Sequence, residues 1–307
     1  MKDYLDIINK NYGIRRKTED KRKFQKFALN EAKEAGISAR VETLEGKHEN
    51  IILGDPDNAK IVFTAHYDTP AASLFPNIMM PRNPILSMIY QFSYPFFLAV
   101  LALGIAYGIT ALLGLQYETT AVLYLVLYLS SFYLLTRTFD NKHNANDNTS
   151  GVAVILSMLS RASNDKVAFI LFDNEEKGKL GSKAFSKAHA ESFSDKLVVN
   201  LDCVGYGNNI LTVAKDKAML TKEYSLLQEC LKSNEIYNVE HYSTKGSLSN
   251  TDHKSFTCGM SIMACKRNAV AGFYTPRIHT RHDTEANEEN IKFLTERLSE
   301  FANNLNN

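Results

Sequence analysis

Residues 166–182 read KVAFILFDNEEKGKLGS. The first seven form a short apolar run rich in β-branched and aromatic side chains, as in a strand buried on both faces. The run stops at acids, Asp173, Glu175 and Glu176, and Ser182–His189 then suits a helix. A buried strand that ends in acids before a helix is one unit of an α/β fold. The same unit recurs along the chain. Lys60–Ala65 (KIVFTA) predicts a strand that leads into His66 and Asp68. Lys196–Leu201 (KLVVNL) predicts another, with Asp202 at its end. Gly151–Arg161 (GVAVILSMLSR) predicts a helix opened by the polar cluster NDNTS. Lys222–Ser233 and Glu288–Leu305 read as helices, and Met260–Ala264 as a strand. Such alternation implies a mixed, mainly parallel central sheet with helices on both faces.

One segment departs from this pattern. Pro84–Leu115 carries no charge, and neither does Ala121–Thr136; between them QYETT (116–120) holds the single acid Glu118. About 20 apolar residues cross a bilayer core, with roughly 17 as the lower limit. The expected organisation is therefore one discontinuous domain, 1–82 and 138–307, interrupted by an inserted hydrophobic hairpin at 83–137 that contacts the lipid bilayer. Its two helices would cover about 95–115 and 119–136. Pro95 is expected to start the first span, with Ile85–Tyr94 lying along the interface. Arg82 precedes the hairpin, and Arg137 and Lys142 follow it, so the positive-inside tendency is expected to place the outer ends and the domain attached to them in the cytoplasm. A hydrophobic lid or a dimer-forming apolar arm is the soluble alternative, and the hairpin could also pack against its own copy as a homodimer.

The bulk composition adds exclusions. A net charge of +1 gives no basic excess of the kind that nucleic acid attracts. The run RRKTEDKRK (15–23) interleaves acids with bases and is expected to be the solvated start of a helix. Four cysteines, Cys203, Cys230, Cys258 and Cys265, make no CxxC pair, which fits a reducing compartment.

Ligands in α/β sheets collect beyond the carboxyl ends of the strands. His66, Asp68, Glu175, Glu176 and Asp202 fall at such ends, Asp147 at a helix start and His279 in a late loop. Imidazoles and carboxylates together suit zinc or another divalent first-row metal. His143, His189, His241, His253 and His282 have no comparable placement, although His253 sits in the suggestive segment TDHKSF (251–256). Phe273 and Tyr274 precede His279 and are expected to be packing residues rather than pocket walls.

Six segments in order, TAHYDTP (64–70), NDNTSGVAVIL (146–156), FDNEEKGKLGS (172–182), VNLDCVG (199–205), TDHKSF and IHTRHDT (278–284), resemble the M28 family of zinc metallopeptidases. The resemblance covers nearly all of the chain outside the hairpin and implies a zinc-aminopeptidase-like fold. It also implies a site of two divalent metal ions, zinc in the first instance, acting on a peptide substrate. His66 and Asp202 would hold one ion, Glu176 and His279 the other, and Asp147 would bridge them. Glu175 would be the general base, Asp68 would orient the His66 ring, and Asp283 would support His279. The implied activity is removal of N-terminal residues by a metal-activated water. A non-catalytic membrane scaffold, or a glutaminyl-cyclase-like acyltransferase with a single zinc, are the alternatives; the cyclases tend to carry tryptophans near the substrate, and this chain has none.

Overall fold

A computed structural model describes residues 2–137, 139–162 and 164–305. In chain order the elements are α1 (Tyr4–Tyr12), α2 (Thr18–Glu34), β1 (Ala39–Leu44), β2 (His48–Leu53), β3 (Ile61–His66), β4 (Ala71–Ala72) and β5 (Ile78–Met79). The hairpin follows as α3 (Pro84–Leu112) and α4 (Tyr117–Arg137). Then come β6 (Phe139–Asp140), α5 (Gly151–Met158), β7 (Val167–Phe172), α6 (Leu180–Ala188), β8 (Leu197–Leu201) and β9 (Asn209–Ala214). The chain ends with α7 (Lys222–Cys230), β10 (Asn238–Ser243), β11 (Gly259–Asn268), β12 (Gly272–Pro276) and α8 (Glu288–Asn304).

The main sheet runs β1-β2-β7-β3-β8-β11-β12-β5, with β9 pairing β11 and β10 pairing β9. Its centre, β7-β3-β8-β11, is parallel, and the pairs at the β1–β2 and β12–β5 ends are antiparallel. Alternate residues of β7 divide between two cores, as the pleat requires. Val167, Phe169 and Leu171 join α1, α2, α5 and α8; Ala168, Ile170 and Phe172 join Phe185 of α6, Phe193 and Phe256. Burial on both faces explains why this strand reads as a continuous apolar run.

The hairpin departs from expectation at its entrance. Pro95 lies inside α3 rather than at its start. Pro84 occupies the first helical turn, where its missing N–H costs nothing, and Asn83 caps it by accepting from the Leu86 N–H. The 29-residue helix is therefore about 43 Å long. α4 begins at Tyr117, so the turn is shorter than QYETT, and Glu118 sits in the first turn, where the helix dipole favours an acid. Both helices are long and apolar enough to cross a membrane. Among the residues of α3, Ala102, Ala106 and Thr110 are buried, and the Thr110 and Thr120 hydroxyls meet at 2.9 Å near the turn. Large side chains such as Phe92, Phe96, Val122 and Tyr133 face outward.

The feet of the hairpin are stitched to the α/β domain. β4 pairs β6, joining Ala71 to Asp140 and Ala72 to Phe139, and the Leu74 N–H donates to the Leu135 carbonyl at 3.0 Å. On the other side the Arg82 guanidinium lies 4.0 Å from the Tyr242 ring centroid and donates to Ser247 Oγ at 2.7 Å. The boundary expected at residue 138 lies outside the described residues.

The charged run 15–23 is not simply solvated. Its helix starts at Thr18, but Arg15 is fully buried and Lys21 nearly so. Arg15 donates to the carbonyls of Tyr67 and Tyr12 and to Thr149 Oγ1. Lys21 pairs with Asp173 at 2.6 Å. Both cations are buried because partners distant in sequence wait for them.

Candidate metal centre

The parallel strands deliver their polar residues to one rim. His66 ends β3, Asp202 follows β8, and Glu175 and Glu176 lie just beyond β7. Asp147 sits in the irregular turn Ala145–Ser150 before α5, and His279 follows β12 with φ 55°. The chemistry-bearing atoms converge. Asp147 Oδ1 is 3.2 Å from His66 Nε2, and its Oδ2 is 2.9 Å from His279 Nε2. His66 Nε2 is also 3.9 Å from Asp202 Oδ1, and His279 Nε2 is 3.6 Å from Glu176 Oε1. Three overlapping sets each place their ligand atoms within 4.8 Å: His66, Asp147 and Asp202; Asp147, Glu176 and His279; and His66, Glu175 and Glu176.

The polar cluster before α5 is explained by what it holds. Asn148 donates to the Leu201 carbonyl and accepts from the N–H groups of Gly151 and Cys203. Asn146 Oδ1 accepts from Gly205, and Ser150 Oγ from Val204. These bonds tie the Asp147 turn to the loop after Asp202. A Cβ on Gly151 would stand 2.5 Å from the Leu201 carbonyl, so this close approach excludes a side chain. Asp283 accepts the N–H groups of Asn146 and Asp147 at 2.8 and 2.9 Å, so it fixes Asp147 rather than His279.

Asp68 acts differently from the simplest expectation. Its backbone carbonyl, at 3.0 Å, is the nearer partner of His66 Nδ1, while its carboxylate Oδ1 is 3.7 Å away. The carboxylate instead accepts the N–H groups of Glu175 and Glu176, at 2.9 and 3.2 Å. One residue thus orients the imidazole and the acidic loop together.

Electrostatics follow from this crowding. Burial works against ionising Asp147, but attraction to His279 and hydrogen bonds with both imidazoles outweigh it and hold its carboxyl below the usual range. Burial disfavours charge on His66 too, yet its bonds to Asp147 and Asp202 raise it well above an ordinary histidine. For His279, desolvation is overcome by Glu176 and Asp147, giving about 10. Glu176 is pushed up to about 8, by burial first, and Glu175 also rises well above its usual value. A divalent cation would relieve this massed negative charge. Glu176 Oε1 is buried with no hydrogen-bond partner among the described residues, an acceptor suited to such an ion. The donor types and their spacing therefore fit divalent metal.

Sequence reading passed over Asp252. It is fully buried beside the site, neither carboxylate oxygen has a hydrogen-bond partner among the described residues, and burial pushes it up to about 7. The signal for it in the sequence is its place in TDHKSF, next to His253. His253 joins none of the three ligand sets; its Nδ1 pairs with Thr251 Oγ1 at 2.8 Å. His189 is engaged by Glu42 and Asp57, and His241 by Thr212. Phe273 packs with Leu211, Met263 and Cys265, as expected of a packing residue. Tyr274 lines a cavity with Tyr206 and Tyr237 that contains none of the candidate ligands. The four cysteines are buried and unpaired.

A cavity of about 380 Å³ opens on these groups, with Asp147, Glu175, Glu176, Asp202 and His279 in its wall beside Met79, Leu248 and Ile278.

Comparison with known proteins agrees with this geometry. The sequence pattern of peptidase family M28 matches residues 134–300, a span holding Asp147, Glu175, Glu176, Asp202 and His279 but neither His66 nor Asp68. No curated protein sequence matches the chain at a significant level. Among solved structures, the chain is similar to the LapA aminopeptidase of Legionella pneumophila, with 15% identity, a TM-score of 0.58, and coverage of 98% of this chain and 68% of that one. It is similar to a glutaminyl cyclase of Bacteroides thetaiotaomicron bound to N-acetylhistamine, with 16% identity, a TM-score of 0.60, and coverage of 98% and 95%. A Zn-dependent exopeptidase from Parabacteroides distasonis gives 15% identity, a TM-score of 0.60, and coverage of 97% and 95%. At these identities the likeness is one of fold.

Proposed function

The chain belongs to peptidase family M28, and from that premise we propose that it is a membrane-anchored aminopeptidase with two divalent ions, zinc in the first instance. The observation that carries the reading is Asp147, whose two carboxylate oxygens each approach a different imidazole, as a bridging ligand's would. His66 and Asp202 would hold one ion, and Glu176 and His279 the other. When bound, such a pair supplies Lewis acidity toward a peptide carbonyl and toward water. Glu175 would accept the attacking water's proton on its carboxylate and return it to the leaving amine. Asp68 would keep Glu175 and Glu176 aimed by holding their backbone. The hairpin would anchor the domain at the cytoplasmic face, since Arg82, Arg137 and Lys142 flank it and Glu118 alone is charged near its turn.

The test is hydrolysis of a panel of aminoacyl-arylamides by detergent-purified protein beside Glu175→Gln, with metal counted on the same samples. Loss of activity in the variant, with two ions retained in both proteins, is the expected result. A filled site inactive on the whole panel would overturn the arylamide-cleaving reading. The likeness to glutaminyl cyclases supports a second reading, acyl transfer with a single ion. One metal per chain and cyclisation of an N-terminal glutaminyl peptide would select it. A chain that binds no metal would be a scaffold.

A further inference from the structure

A second cavity, of about 400 Å³, adjoins the first and shares Asn77, Gln91, Glu176 and His279 with it. Its far wall belongs to the hairpin: Tyr90 and Tyr94 come from α3 and Phe132 from α4, with Phe75 completing an aromatic lining. From this geometry we infer that the hairpin is a wall of the substrate cleft, and that this chamber takes the large apolar residue that follows the scissile bond of a peptide. The inference rests on the peptidase reading above.

The two chambers divide the candidate groups unequally. Asp147, Glu175 and Asp202 line only the first, whereas Glu176 and His279 line both. A peptide whose first residue sits among the full set can continue past Glu176 and His279 into the hairpin chamber, which those two residues also line. Its size falls in the range of about 300–1,000 Å³ usual for ligand sites. Four aromatic rings line it, with Arg137 also in the wall, which favours a flat or branched apolar side chain over a cationic one. Phe75 and Tyr94 pack ring against ring, and Tyr94 lies near Phe132. The Tyr94 hydroxyl is buried with no hydrogen-bond partner among the described residues, an unsatisfied polar group behind this wall. The walls are also fixed in advance: the Tyr90 hydroxyl donates to the Pro76 carbonyl at 2.9 Å, and Leu74 is bonded to Leu135. The substrates this selects are peptides with an aromatic or large aliphatic second residue, a feature of apolar, bilayer-seeking N-termini.

Because the chain has no tryptophan, a tryptophan in the ligand is the sole indole emitter. The full chain carrying Glu175→Gln, purified in detergent and loaded with zinc, would be titrated with Ala-Trp-Gly amide, with empty micelles as the blank. Ala-Gly-Gly amide would be measured by competition. Blue-shifted emission and at least roughly tenfold tighter binding of the tryptophan peptide are expected. Adding Phe132→Ala should bring that preference close to unity, and the milder Phe132→Leu should leave it intermediate. Equal affinity for the two peptides, or an unchanged preference in folded Phe132 variants, would overturn the inference. The failures separate cleanly. A chain that binds the tryptophan peptide through Phe132 but hydrolyses nothing loses the peptidase reading and keeps the binding chamber. A chain that cleaves peptides without regard to the second residue does the reverse.

Discussion

Lys21 and Asp173 form an ion pair at 2.6 Å with both side chains buried. Lys21 belongs to α2 and also donates to Asn174 Oδ1 at 2.9 Å, so a helix from the start of the chain grips the loop that presents Glu175. Removing one partner strands the other charge inside the protein, which costs about 3–5 kcal/mol. Lys21→Met should therefore lower the denaturation midpoint sharply, and Lys21→Met with Asp173→Leu should recover part of the loss. A single variant as stable as the parent would show that the pair contributes nothing.

Asp68 tests the supporting carboxylate. Asp68→Ala removes the acceptor for two N–H groups, those of Glu175 and Glu176, and leaves the His66 ring bonded to a backbone carbonyl. Activity should fall about 10–100-fold, as for other groups that orient ligands, with a smaller change in His66-dependent metal binding. Activity within twofold of the parent would remove Asp68 from the machinery.

Asp147 separates one bridging carboxylate from two independent sites. Equilibrium dialysis followed by elemental analysis should find two ions per parent chain. Asp147→Asn should lose both, because each oxygen serves a different imidazole. Asp202→Asn should weaken only the ion near His66. Chelation should abolish activity, and zinc should restore it in the parent but not in Asp147→Asn.

His253 gives a pH signature that does not depend on metal. Burial, helped by Lys254, Lys215 and Lys179, lowers it from an ordinary 6.5 to about 3. Above pH 6.5 the ring is neutral in both states and contributes nothing. As pH falls from 6.5 toward 3, the unfolded chain takes up a proton that the folded chain refuses, so stability drops by up to about 1.4 kcal/mol per pH unit. Chelator-treated His253→Asn should therefore show a shallower loss of stability between pH 6 and 4. Identical slopes for variant and parent would mean that His253 is protonated without cost in the fold.

The legible parts of the fold are those whose cause is local. β3, β7 and β8 announce themselves because both faces are buried, and α5 because a polar cluster opens an apolar run. Other strands carry a weaker signal: β1 and β10 are edge strands with partly exposed faces and mixed composition, whereas β2 and β9 are buried but interleave polar residues (HENIIL, NILTVA) with their apolar ones. Pro95 reads as a helix start but lies inside α3, because a proline is tolerated within an apolar helix whose neighbours can re-satisfy the backbone. Arg15 and Lys21 looked solvated because a charge declares its partner only in three dimensions, and Asp173 lies far along the chain. The convergence of His66, Asp147, Glu176, Asp202 and His279 follows from parallel strands ending on one rim. Asp252 was missed because a buried acid without partners looks like a surface acid in a sequence.

The hairpin's position also sets an order of assembly. His66 and Asp68 are synthesised before the two apolar helices, and Asp147, Glu175, Glu176, Asp202 and His279 after them. β3 waits for β7 and β8, its neighbours on either side, which the ribosome makes only once the hairpin is complete. The nascent chain consequently holds two of these seven side chains while the hairpin emerges. If the hairpin enters the bilayer as it is made, the site is completed only on a chain already held at the membrane.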